Sequence, residues 1–209
     1  MSDYEQFRAL LESRRSVRKF ASRPVNRRDL FRVLEAARWA PSNHNRQPWR
    51  FRVIEDRDQI ANLARQVEAE LNEKLKSLPA VASGYVAEFA PHATFFPNAP
   101  VLILALHKLP VSFASALLKH LPHPELVSGE PLSAAMAVQN LLLAAHSLGL
   151  GTCVLTAPLI AQDAIQSQFS PLAGYEITCL IALGFPDEDP LPPRRKSIEQ
   201  IAQFLEDDK

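Results

Sequence analysis

Apolar residues recur along the chain at two spacings, and the changes of spacing mark its elements. Over residues 3 to 13, Tyr4, Phe7, Leu10 and Leu11 form one stripe, which predicts a short helix. Residues 14 to 20, RRSVRKF, follow as a short extended segment. Leu30, Val33, Leu34 and Ala37 then share one face of an amphipathic helix. Asn26 is its N-cap, Asp29 sits at the third helical position and Pro41 stops it. WRFRVIED alternates as a strand, with Trp49, Phe51 and Val53 on one side and Arg50 and Arg52 on the other. Helical spacing returns from about Gln59 to Leu78 through Ile60, Leu63, Val67, Leu71 and Leu75.

The second half is more apolar. VLILALH (101–107) reads as a buried strand, TCVLT (152–156) as a short one and YEITCLIALGFP (175–186) as a long one. PLSAAMAVQNLLLAAHSLG (131–149) is apolar nearly all round and predicts a buried helix, closed by Gly149 in the left-handed conformation. PLIAQDAIQSQF (158–169) is a short helix. Residues 79–98 and 108–130 are irregular, the first stretch aromatic, the second holding one short helix, and the tail is extended and then helical. No repeat or linker interrupts residues 1–209, so the pattern predicts one α+β domain with a helical majority and four or five strands.

Charge narrows the function classes. Lys plus Arg and Asp plus Glu are 23 each, so no global field exists to hold a nucleic acid or an acidic membrane. No apolar run approaches the roughly 20 residues that span a bilayer. The acidic opening MSDYEQF is unlike a secretory signal, and Cys153 and Cys179 lie in apolar runs, which predicts a cytoplasmic protein with reduced thiols. GLGTCV (149–154) has Val154 where a dinucleotide loop needs its third glycine, and it follows a helix rather than a strand. HLPH (120–123) supplies too few ligands for a metal, and neither a G-x-S-x-G elbow nor a Cys–His neighbour pair occurs.

Against this neutral background, four cations fall within RRSVRKF, and two further stretches, APSNHNRQPWRF (40–51) and PPRRKS (192–197), concentrate polar chemistry. Together they resemble the flavin-dependent nitroreductase family. RRSVRKF is similar to its R-R-S-x-R/K-x-F opening, and APSNHNRQPWRF to its A-P-S-x-x-N-x-Q-P-W-x-F motif. VQNLLLAAHSLGLGT and IALGFPDEDPLPPRRKSIEQI resemble its central helix and its closing strand with basic turn. The likeness runs from residue 10 to 201 and is poor over about 79–128.

The resemblance implies a three-layer α/β/α sandwich around a central mixed, mainly antiparallel sheet, with the C-terminal segment exchanged between the subunits of a homodimer. It implies FMN, bound tightly but not covalently at the subunit interface. NADPH or NADH would act as reductant, and nitroaromatics, quinones or similar small molecules as acceptors in ping-pong hydride transfer through flavin N5. Arg14, Arg15, Arg195 and Arg194 would clamp the phosphate, for which planar guanidinium forks are well suited, with Ser16 adding a hydroxyl. Arg18 would stabilise negative charge on the reduced ring. Pro41, Ser42, Asn43, His44 and Asn45 would meet the ring edge and ribityl chain, and Gln139 or Asn140 would reach the flavin or make a structural bond.

No protein residue is obligatory as acid, base or nucleophile, and no metal is implied. TCVLTAPLI lacks the acidic-glycine step that many relatives place at flavin N5, so Thr156 or the backbone near Leu155 would substitute. Phe95, Phe96 and Phe113, with Tyr85 and Phe89, would line access to the acceptor pocket or anchor their loops. Enone reduction, dehalogenation, flavin fragmentation and FMN binding without turnover remain compatible with the same motifs.

Overall fold

The computed structural model describes residues 1–76, 91, 93–109, 120, 129–169 and 172–205. Its order is α1 (Asp3–Ser13), α2 (Arg27–Arg38), β1 (Trp49–Ile54), α3 (Arg57–Lys76), β2 (Val101–Lys108), α4 (Gly129–Ser147), β3 (Gly151–Leu155), α5 (Gln162–Phe169), β4 (Tyr175–Gly184) and α6 (Ile198–Ile201). Short 3-10 turns occupy Asn43–Asn45, Phe96–Asn98 and Ala157–Ala161.

The four strands lie in the order β1-β2-β4-β3, and every pairing between them is antiparallel. The mixed character comes from one parallel bridge, Ser16 to Thr152, which adds the arginine segment to the outer edge of β3. On β2, Leu102, Leu104 and Leu106 face one apolar cluster with α3 and α5, while Val101, Ile103 and Ala105 face a second with α2 and α4. β4 divides likewise, Leu180 and Ala182 against Cys179, Ile181 and Leu183. Both central strands are covered on both faces, which explains their unbroken apolar runs. The result is the expected α/β/α sandwich.

The predicted ends are present. Asn26 Oδ1 accepts from Asp29 N at 2.9 Å and caps α2. Gly149, at φ +73°, closes α4, where Leu150 N donates to Ala145 O at 2.9 Å. α3 starts at Arg57, ahead of the predicted Gln59, because Asp56 Oδ1 accepts from Asp58 N and Gln59 N.

The tail is extended and then helical, as expected, with α6 confined to one turn that buries no residue. Two expectations need correction. α4 is not buried all round: Leu132 and Met136 are exposed, because the described elements cover only one side of the helix. Phe96 is wholly buried with Ile60 and Leu102 in the α3-side cluster, so its ring anchors the segment before β2 rather than lining an access route. Phe95 packs half-buried on the same cluster. Phe113, Tyr85 and Phe89 lie outside the described residues, as do residues 77–90, 110–119 and 121–128 as a whole. Among the described residues, no helix is long and apolar enough to cross a membrane.

Candidate cofactor-binding site

The arginine turn is held from both flanks. Val17 N donates to Thr152 O at 3.0 Å, and Ala21 N to Phe185 O at 2.9 Å, so residues 16–21 run between β3 and the segment after β4. Two glycines allow this approach. A Cβ at Gly151 would lie 2.8 Å from Val17 Cβ, and one at Gly184 would lie 2.5 Å from Pro100 Cδ and 3.0 Å from Phe20 Cδ1. Glu188 Oε1 accepts from the backbone N–H groups of Arg18 at 2.5 Å and Lys19 at 3.0 Å, which joins the turn to the tail. Arg23 stacks on the Phe185 ring, 3.3 Å from its centroid, at the same seam.

These staples gather Arg14, Arg15, Ser16, Arg18 and Arg195 around one open cleft of about 330 Å³, completed by Pro190, Leu191 and Pro193. Segments 170 or more positions apart in sequence thus bring four arginines to the lining of one volume. Arg194 is exposed beside the cleft and is not among its lining residues. The Arg15 guanidinium turns back onto the end of α1, donating to Glu12 O at 2.6 Å and Arg14 O at 2.9 Å. Cys153 adjoins the cleft; burial raises its thiol pKa, against the lowering pull of Arg18 and Arg14.

The Pro41–Asn45 loop stands apart from that cleft, against the start of α4. Asn43 N donates to Ser133 Oγ at 3.2 Å, and the Ser133 hydroxyl donates to Gly129 O at 2.6 Å. Asn43 packs so closely that a Cβ at Gly129 would lie 2.8 Å from its Nδ2. Arg46 pairs with the buried Glu130 at 3.4 Å. Ser42 Oγ accepts from Gln47 N at 3.0 Å, and Pro41 and His44 are exposed. His44, Asn45 and Gln47 all have positive φ, at 48°, 52° and 48°. Three such non-glycine residues in one loop store strain, a feature that concentrates at ligand sites.

The remaining candidates divide. Gln139 is exposed on the uncovered face of α4, whereas Asn140 Nδ2 donates to Ala36 O at 3.2 Å and ties α4 to α2. Leu155 has its side chain in the core and only its backbone to offer, while the Thr156 side chain is exposed and makes no cap bond to the following turn. Glu188, Ser133 and Gly129 were not singled out by sequence. The acidic run Asp187-Glu188-Asp189 ahead of the basic Arg194-Arg195-Lys196 was the one available signal for Glu188.

A two-sided sandwich thus carries a cationic turn on its edge strand β3 and a strained polar loop against α4, an architecture that accords with an oxidoreductase. The chain belongs to the nitroreductase family, whose model matches residues 11–185. It is 30% identical over 201 residues to the iodotyrosine dehalogenase 1 homolog of Caenorhabditis elegans, covering 93% of this chain and 59% of that protein. This chain therefore spans about three-fifths of that relative's length. It is 28% identical over 193 residues to the oxygen-insensitive NADPH nitroreductase of Helicobacter pylori, covering 87% of this chain and 88% of that one.

Among solved structures, a BluB-like flavoprotein of Clostridium difficile 630 superposes with a TM-score of 0.85 at 27% identity, over 96% of this chain and 99% of that one. Iodotyrosine deiodinase bound to FMN and 3-iodo-L-tyrosine gives 0.71 at 25% identity, over 94% and 99%.

The residues present fit an FMN phosphate. Four arginines and a serine line one open volume, which suits a compact dianion rather than an extended polyanion.

Proposed function

We propose that this protein is an FMN-dependent oxidoreductase that uses NADPH or NADH to reduce nitroaromatic, quinone or similar small-molecule acceptors. The observation that carries the reading is the convergence of Arg14, Arg15, Ser16, Arg18 and Arg195 on one cleft. Bound FMN would supply two-electron chemistry, accepting hydride from a nicotinamide and delivering it to an acceptor in the same position.

The chain's own residues then bind, orient and stabilise. Arg14, Arg15 and Arg195 neutralise the phosphate, with Arg194 at the margin. Arg18 would supply a positive charge to the flavin's pyrimidine edge, which would favour the electron-rich form. Pro41, Ser42, Asn43, His44 and Asn45 offer backbone and amide groups to the ring and ribityl chain. Thr156, or the backbone beside Leu155, serves the N5 side in place of the missing acidic-glycine step.

The cleft and the loop share no lining residue in one chain, which supports a homodimer in which each subunit contributes one of them to each flavin. Uncovered apolar side chains support the same arrangement, among them Phe7 and Leu11 on α1, Leu132 and Met136 on α4, and Phe204 and Leu205 in the tail. The tail is the segment we assign to exchange with the partner. Two buried, free thiols accord with a cytoplasmic setting.

Dehalogenation is a second reading, favoured by the likeness to the dehalogenase homolog across nearly this whole chain. The test is spectroscopic. Purified protein should show flavin absorption that bleaches anaerobically with NADPH or NADH and recovers with a quinone or nitroaromatic. A flavin reduced only by other donors, and reoxidised by 3-iodo-L-tyrosine, would replace this reading with the second. The Arg14→Ala, Arg195→Ala double variant should lose most FMN affinity with its fold intact; full flavin loading at low FMN would refute the clamp.

A further inference from the structure

The arginine turn needs a support that the phosphate-clamp residues do not themselves provide. α1, which leads into it, buries no residue, and Arg14 caps α1 through a single backbone bond to Leu10 O at 3.3 Å. On the far side, the turn is fixed by the Val17 N to Thr152 O bond. On the near side, Ser13 Oγ lies 2.8 Å from His146 Nε2, which joins the last residue of α1 to the last turn of α4. The two anchors, His146 and Thr152, are six residues apart and belong to one continuous unit: the end of α4, the left-handed Gly149 turn and the start of β3. Ser13 and Val17 bracket Arg14, Arg15 and Ser16 between those anchors.

From this geometry we infer that His146 is a positioning residue for the phosphate clamp, acting through Ser13 to set where Arg14 and Arg15 are presented. The inference rests on reading the cleft as the FMN phosphate site. His146 does not line that cleft, so it contributes no direct contact to a ligand there. Its ring is held below the ordinary histidine pKa by burial and then by the Arg14 and Arg15 charges. It is therefore a neutral hydrogen-bonding partner near neutral pH, and its nearness to both guanidinium groups agrees with the placement. The bond fixes a turn rather than a charge, so an uncharged amide that reaches Ser13 can replace it.

The experiment compares apoprotein affinity for FMN with that for riboflavin, which shares the ring and ribityl chain but lacks the phosphate. His146→Leu is expected to weaken FMN binding about five- to tenfold, the loss of one aligned hydrogen bond, and to leave riboflavin affinity unchanged. Ser13→Ala should give the same selective loss, and the double variant no more than either single one. His146→Gln, which keeps a donor and acceptor toward Ser13, should retain most FMN affinity. An equal loss for both ligands, a fully additive double variant, or unchanged FMN affinity in Ser13→Ala would overturn the inference while leaving the phosphate reading intact. A wild-type protein that binds riboflavin as tightly as FMN would overturn both.

Discussion

Replacing Gly151 by alanine drives a methyl group into the seam that supports the arginine turn. The new Cβ would sit 2.8 Å from Val17 Cβ and Cγ2 and 2.9 Å from Cγ1, well inside van der Waals contact. Val17 is buried and β-branched, so it cannot turn aside. The segment must instead move off β3, lengthening the 3.0 Å bond from Val17 N to Thr152 O. Overpacking of this kind costs about 1–3 kcal/mol, and a weakened backbone bond about 0.5–1.5 kcal/mol more. Stiffening the unfolded chain offsets about 0.5–1 kcal/mol. The net expectation is about 1–3 kcal/mol of lost stability, which lowers Tm by about 2–12 °C for a chain of this size.

Thermal unfolding followed by circular dichroism measures that loss, and a parallel FMN titration measures displacement of Arg14, Arg15 and Arg18. Gly174→Ala is the control. Its φ of +79° imposes strain, nothing lies within 4 Å of its Cβ, and it is remote from the turn, so it should lower Tm and spare FMN affinity. A Gly151→Ala protein that melts with the wild type and binds FMN equally would refute the reasoning.

Three further outcomes are expected. Asn26→Ala removes the α2 cap and should cost about 1 kcal/mol by denaturant titration, with no change in flavin content. Burial holds the His107 imidazole below its ordinary pKa despite Glu176 and Glu130 nearby, so the unfolded chain takes up that proton first as pH falls. The stability it contributes is complete above the unfolded value of about 6.5 and is lost as pH falls through the lower folded value. Denaturation curves across that range should therefore be flatter in His107→Gln. Burial pushes the Cys179 thiol up to about 12 and also raises Cys153, so neither should react with a thiol reagent at pH 8 until denaturant exposes both.

Local chemistry was legible in the sequence where its cause is local. Asn26 and Gly149 end their helices through bonds to residues a few positions away, and the alternation of β1 follows from its pleat. The interactions that assemble the site are different in kind. Glu188 meets Arg18 across 170 positions and His146 meets Ser13 across 133, with no periodic signal at either end. The strained loop was hidden because His44, Asn45 and Gln47 adopt positive φ without any glycine to announce it. Phe96 misled because an aromatic residue in an irregular stretch looks the same whether it lines a mouth or plugs a core. The exposed face of α4 could not be foreseen from composition, since apolarity all round does not say whether the covering surface belongs to the same chain.

The doubly covered central strands also govern how this chain reaches its fold. β2 and β4 pair residues about eighty positions apart, such as Val101 with Leu183, so the middle of the sheet closes only after a long loop has been drawn in. Until then VLILALH is an uncharged strand segment with every feature that favours pairing with another copy of itself. β1 is its other native partner and carries Arg50 and Arg52 on alternate positions, charges that discourage such stacking once β1 has docked. The hazard for this protein therefore lies in the interval of synthesis between residue 108 and residue 175, before β4 exists to shield β2. Slowing synthesis or lowering temperature acts on that interval and leaves the finished fold untouched.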